Sequence, residues 1–224
     1  HLPATEILDR LHKIVESTND RVTLDQVANW IAALASDLEA PCELLEVLWE
    51  RVKEGQADGQ FSFGRYEYMA AVEACAPICP KEVTRLLMDA LDTMGTNMEA
   101  EVARAVLCLP ESYEEDALYI LRQLASSDGP GVRGTVADVV GESHFDWEER
   151  LAILRELAED ESPTDELEQF REGQLQEAAG AYSNTGIVPR GVREYVVLAT
   201  ADLIRSAPEC DGAWELLMQL STDD

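Results

Sequence analysis

The stretch SSDGPGVRGTVADVVGE, residues 126–142, tests whether this chain is built of strands or of helices. It opens with a turn around Asp128, Gly129 and Pro130, then sets Val132, Val136, Val139 and Val140 in an apolar pattern. Four valines suggest a strand by propensity. Their spacing does not: steps of four, three and one return to the same face of a helix. Arg133 is the odd residue. A helix start carries a partial positive charge that favours an acid, so the dipole alone does not account for a cation there.

The same spacing recurs along the 224 residues. Ile7, Leu8, Leu11, Ile14 and Val15 predict a first helix. Leu24, Val27, Ile31 and Leu34 predict a second, with Thr23 as its expected N-cap. Leu44, Leu45, Leu48 and Val52 predict a third, between Pro41 and Gly55. A fourth runs through Tyr66, Met69, Ala70 and Val72 and ends near Pro77 and Pro80. Val83 to Met94 and Val102 to Leu109 follow, the latter broken at Pro110. Leu118, Leu121 and Leu124 precede the opening stretch, and Leu151, Leu154 and Leu157 come after it. A helix from about Asp165 to Ala178 and two more, Val192–Ile204 and Trp214–Leu220, complete the chain. The expectation is an all-α protein of about twelve helices.

Hydrophobic residues make up 46%, enough for a packed core despite the charge. No apolar run approaches the roughly 18–20 residues needed to cross a bilayer. Against 45 acids stand 17 lysines and arginines, a net charge of −28. Direct binding to nucleic acid or to an anionic membrane needs clustered cations and is disfavoured. A field this negative attracts a basic protein partner, such as a toxin or a nucleic-acid-binding protein. General acidity of a halophile-like proteome would produce the same composition.

Helix pairs that recur every 30 to 40 residues suggest a repeat architecture. Asp128, Pro130, Val132, Arg133, Val136, Ala137, Val139, Val140 and Gly141 resemble the turn and second helix of a HEAT repeat. Partial echoes follow. PRGVREYVVLATADLI repeats Val-Arg at Val192 and Arg193, EDESPTDELEQF repeats the acidic turn, and MEAEVARAVLCL keeps Val102. The resemblance implies a right-handed HEAT-like α-solenoid of antiparallel helix pairs over residues 41–224, with residues 1–40 as an N-terminal helical cap or small module. It also implies that Asp128, Arg133 and Arg193 act structurally, each arginine bonding to the turn of a neighbouring repeat. RVTLDQVANWIAAL, residues 21–34, is similar to an element of bacterial immunity-type proteins, although a buried Trp30 explains it equally well.

Chemistry is hard to find. His1, His12 and His144 have no Cys or second His at ligand spacing, so neither a catalytic nor a metal site is expected. The glycines of DGPGVRG lack the Lys-Ser/Thr of a phosphate loop. No cofactor is expected, and the chain does not read as an enzyme. Cys42, Cys75, Cys79, Cys108 and Cys210 sit in apolar helical contexts and read as buried free thiols. Their odd number, with no secretory pattern in view, points to a reducing, cytoplasmic setting.

The leading expectation is an acidic protein–protein interaction module, of the immunity or antitoxin kind, that covers a basic partner. Its face would come from Glu99, Glu101, Asp138, Glu142, Asp146, Glu166 and Glu172. Two loops add aromatic and polar candidates: Phe61, Phe63 and Tyr66, then Tyr182 and Asn184. Such aromatics either anchor an interface or fold back to seal the core, and the second is favoured narrowly. The alternatives are a DNA mimic that inhibits a DNA-binding protein, and a generic HEAT scaffold or maturation factor whose acidity is proteomic.

Overall fold

The computed structural model describes residues 3–18, 20–38, 41–57, 65–94, 96–162 and 191–222. Those residues contain eleven α-helices and no strand. The helices are α1 (Ala4–Ser17), α2 (Arg21–Leu34), α3 (Pro41–Ala57), α4 (Arg65–Cys75), α5 (Pro80–Met94) and α6 (Thr96–Val106), then α7 (Glu114–Ala125), α8 (Pro130–Glu142), α9 (Trp147–Ala158), α10 (Val192–Ser206) and α11 (Asp211–Thr222). Every helix expected within the described residues is present. The one expected from Asp165 to Ala178 lies outside them. At the start of α2, Asp20 rather than Thr23 is the cap: its side chain accepts from the Thr23 backbone N–H at 2.9 Å. Thr23 also donates its hydroxyl to the same carboxylate at 2.5 Å, so the threonine serves the cap from inside the helix.

The chain divides into two compact units, His1–Ile120 and Leu121–Asp224, with the division inside α7. In the first, α3 packs against both α1 and α5, and α4 against both α2 and α6. Leu44, Leu45 and Leu48 of α3 are wholly buried, as are Val27, Ala28 and Ile31 of α2. Each such large aliphatic side chain contributes roughly 1.5–3 kcal/mol by leaving water.

In the second unit α8 is central. Val132, Gly134, Val136, Ala137, Val139, Val140 and Gly141 are all buried, while Asp138 and Glu142, one turn apart, face solvent. A helix apolar on nearly every side has to be enclosed, and α9 and α10 both pack on it. Gly141 permits the approach to α10. A Cβ placed there would stand 2.7 Å from the Ala199 Cα, well inside contact distance.

Three arginines set the frame. Arg133 donates from Nε to Asp160 and from Nη1 to the Ser127 carbonyl. Its partner is therefore the acidic turn 27 residues onward, not Asp128, which is exposed. Arg193, at the start of α10, reaches Glu161 in that same turn at 3.2 Å. The Val192 N–H donates to the Ser162 carbonyl, also at 3.2 Å. At the opposite end of α9, Arg150 is 4% exposed. It donates to the Val140 carbonyl at 3.0 Å, the Gly141 carbonyl at 2.7 Å and the Ser206 hydroxyl at 3.1 Å. Those carbonyls end α8, where no intrahelical donor remains and a cation is favoured by the dipole. Burial lowers the Arg150 pKa, opposed by the charge of Asp202.

The starts of α8 and α10 thus meet the turn after α9, and their ends meet the first turn of α9. Helix α9 runs antiparallel to both. Asp160 anchors one end. Burial works against its charge, but the bonds from Arg133 and Ser162 outweigh that and hold its carboxyl below the ordinary 3.8.

Two outcomes are expected. Gly141→Ala forces α8 and α10 apart and lowers unfolding free energy by about 1–3 kcal/mol in a urea titration. For Asp160, a lowered folded-state pKa means stability that is whole above about pH 4 and lost as acid takes the pH down through the folded value. Asp160→Asn should cost about 1–2 kcal/mol at neutral pH and flatten the acid limb of the stability profile. An unchanged acid limb would rule out this role for the carboxylate.

Candidate functional site

Carboxylates are exposed on several of the described helices. The first unit gathers several into a groove of about 670 Å³ across α1, α3 and α5. Helix α1 supplies His12 and Glu16. Helix α3 supplies Glu43, Glu46, Val47, Trp49, Glu50 and Lys53, and α5 supplies Arg85, Leu86 and Asp89. The α3 positions share one stripe because 43, 46, 50 and 53 recur at helical spacing. Five carboxylates face two cations and a half-buried histidine.

Both cations are held in place. Arg85 pairs with Glu46 from the neighbouring helix. The Lys53 ammonium lies 2.7 Å from Glu50 and 3.1 Å from Asp89, and 5.8 Å from the Trp49 ring centroid. Its pKa is raised, first by the bond to Glu50 and then by Asp89, against the cost of burial. One Asp89 oxygen accepts from both Lys53 and the Trp49 indole N–H. The indole bond is the larger reason that the Asp89 carboxyl sits below its ordinary range. Trp49 is buried and stacks on Tyr68, with centroids 5.5 Å apart. Burial pushes the Tyr68 phenol well up, and its hydroxyl finds no partner among the described residues. The buried Trp49, backed by Tyr68, thus lines the groove from within, and Glu43 and Glu50 on its rim are exposed.

The expected interaction residues are divided between the two units and the residues outside the description. Glu99 and Glu101 are half-buried on α6 in the first unit. Asp138 and Glu142 are exposed on α8 in the second. Asp146 caps α9, accepting from the Glu148 N–H at 2.8 Å. Glu166, Glu172, Phe61, Phe63, Tyr182 and Asn184 lie outside the described residues. Tyr66 is 63% exposed at the start of α4, so it does not seal the core.

Two further expectations are corrected. Trp30 is 42% exposed, not buried, and lines an apolar cleft of about 280 Å³ with Ile7, Leu11, Ile14 and Leu34. The second correction concerns the cysteines. Cys42 and Cys79 form a disulfide and Cys108 is exposed, leaving Cys75 and Cys210 as the buried free thiols. A pairing across 37 residues is invisible to local context.

Comparisons with known families, with curated proteins and with solved structures find no match. No group of His, Cys, Asp and Glu among the described residues is arranged to hold a metal ion. No helix among them is long and apolar enough to cross a membrane.

Asp89 carries two bonds, which separates its charge from its geometry. Asp89→Asn keeps an acceptor for the Trp49 indole, whereas Asp89→Ala leaves the indole without one and the Lys53 ammonium with Glu50 alone. The alanine variant should lose about 1–3 kcal/mol and the asparagine variant distinctly less, measured by denaturant titration. Equal losses would show that the indole bond contributes nothing.

Proposed function

We propose that this chain is an acidic protein-binding module that captures a basic partner. Its most concrete form is an immunity- or antitoxin-like inhibitor that shields a cationic, nucleic-acid-cleaving toxin. One observation supports this above the others: the carboxylates of the α1–α3–α5 groove are concentrated and already ordered. Glu46 and Asp89 are fixed by ion pairs, and Glu43 and Glu50 stand exposed beside them. Carboxylates outnumber lysine and arginine there five to two, and an ordered net charge speeds encounter with the opposite sign and disfavours wrong partners.

In this reading the helices stack as a HEAT-like solenoid. The contacts of α3 with α1 and α5, and of α4 with α2 and α6, agree with such stacking. In the second unit this reading offers the exposed Asp138 and Glu142 of α8 as further contacts in their own right. The cytoplasm is the compartment that this reading requires, since that is where a toxin must be neutralised.

A labelled decalysine peptide tests the groove by fluorescence anisotropy. Binding should weaken on the order of ten-fold or more between about 50 and 300 mM salt. Glu43→Lys with Glu50→Lys should weaken it further at low salt, and more than the matched exposed pair Glu111→Lys with Glu115→Lys. Equal losses from both pairs would reduce the groove to net charge alone. Stability that rises steeply in molar salt, with no groove selectivity, would favour proteomic acidity instead.

A further inference from the structure

The Cys42–Cys79 disulfide joins the first turn of α3 to the residue just before α5. Beyond it the two helices are bonded in register: Glu46 to Arg85, then Trp49 and Lys53 to Asp89. Partners advance in the same direction on both helices, so α3 and α5 run parallel, and the disulfide closes one end of the shared seam. Every one of these noncovalent pairs lies in the groove wall. Glu43, on the groove rim, directly follows Cys42.

We infer that Cys42 and Cys79 form a thiol–disulfide switch that sets how firmly α3 and α5 hold the carboxylates of the groove. The gating of partner capture rests on the proposed function, whereas the switch itself does not. Three features favour reversibility. Cys79 is the more accessible member, half-buried where Cys42 is 6% exposed. An external dithiol attacks the Cys79 sulfur, and Cys42 leaves as a thiolate that takes up a proton. The second thiol of the reductant then displaces Cys79, which is likewise protonated. Two electrons and two protons pass to the protein, and the reductant becomes a cyclic disulfide.

The reduced state also has a place to rest: the Cys79 sulfur lies 3.6 Å from the Cys75 carbonyl, an acceptor for the new S–H. Cys75 does not compete for the bond. Burial pushes its thiol up to about 12, so little thiolate forms at neutral pH. A small-molecule disulfide reverses the sequence.

The experiment uses the whole chain, equilibrated with either a small-molecule disulfide or a dithiol. Alkylation after denaturation should count three thiols in the oxidised form and five in the reduced one, with peptide mapping locating the bond at Cys42 and Cys79. Amide hydrogen exchange should then quicken on reduction, on the order of ten-fold, over residues 42–50 and 79–86 and not across the whole unit. Cys42→Ser should match the reduced form with no dithiol present, whereas Cys75→Ala should still switch. A bond mapped to another pair, five thiols after oxidation, or exchange that is unchanged or uniformly faster overturns the switch. Decalysine affinity should fall several-fold on reduction, and equal affinity in both states overturns the gating. Binding in neither state overturns the proposed function, while the thiol count and the exchange still judge the switch.

Discussion

Cations are scarce in this chain, and their placement governs the rest of the structure. With 17 against 45 acids, mutual repulsion opposes every compact state. Several of the arginines and lysines offset it where helices meet. Arg85 and Lys53 join α3 to α5, and Arg122 joins α7 to α9. Arg51 donates to the Glu16 carbonyl near the end of α1 at 3.0 Å. Arg133, Arg193 and Arg150 hold the two ends of α9. A cation that bridges two helices neutralises a carboxylate and also orients an element, which one on open surface does not.

The second unit shows how this works with close packing. Arg150 satisfies the final carbonyls of α8 from the first turn of α9, so the chain can bury a helix end without leaving acceptors bare. Gly141 lies at the same place and lets α10 come within touching distance. Packing and capping are therefore one feature. In the first unit the equivalent role falls to the α3–α5 seam, where a disulfide, an ion pair and an indole bond follow one another. Fixing that seam for stability also aligns the acids beside it, and so the groove is a consequence of how the unit is held together.

Much of this was legible in advance, and unevenly. Each described helix follows from apolar spacing, since burial of one face is a local, periodic requirement. Arg133 was legible as a residue that needed a distant partner, and Arg193 as its echo. Asp160 was not recognisable as that partner, because the acidic turn offers Glu159, Asp160 and Glu161 in a row. Arg150 escaped notice altogether, being one ordinary arginine in a charged helix start. The groove was missed for a related reason. In a chain this acidic Glu43, Glu46 and Glu50 look like any solvated face, although Trp49 and Lys53 on the same stripe were a usable signal.

The order of residues alone established that the described chain forms helices, roughly where each lies, and that the chain is strongly acidic. Those properties depend on neighbours within a few positions and on summed charge. Tertiary structure chose which acids converge, which arginine meets which carboxylate, that Cys42 finds Cys79, and that Trp30 remains exposed. Arg133 and Asp160 are 27 positions apart, and Cys42 and Cys79 are 37 apart; contacts at such separations are set by how helices pack rather than by any local pattern.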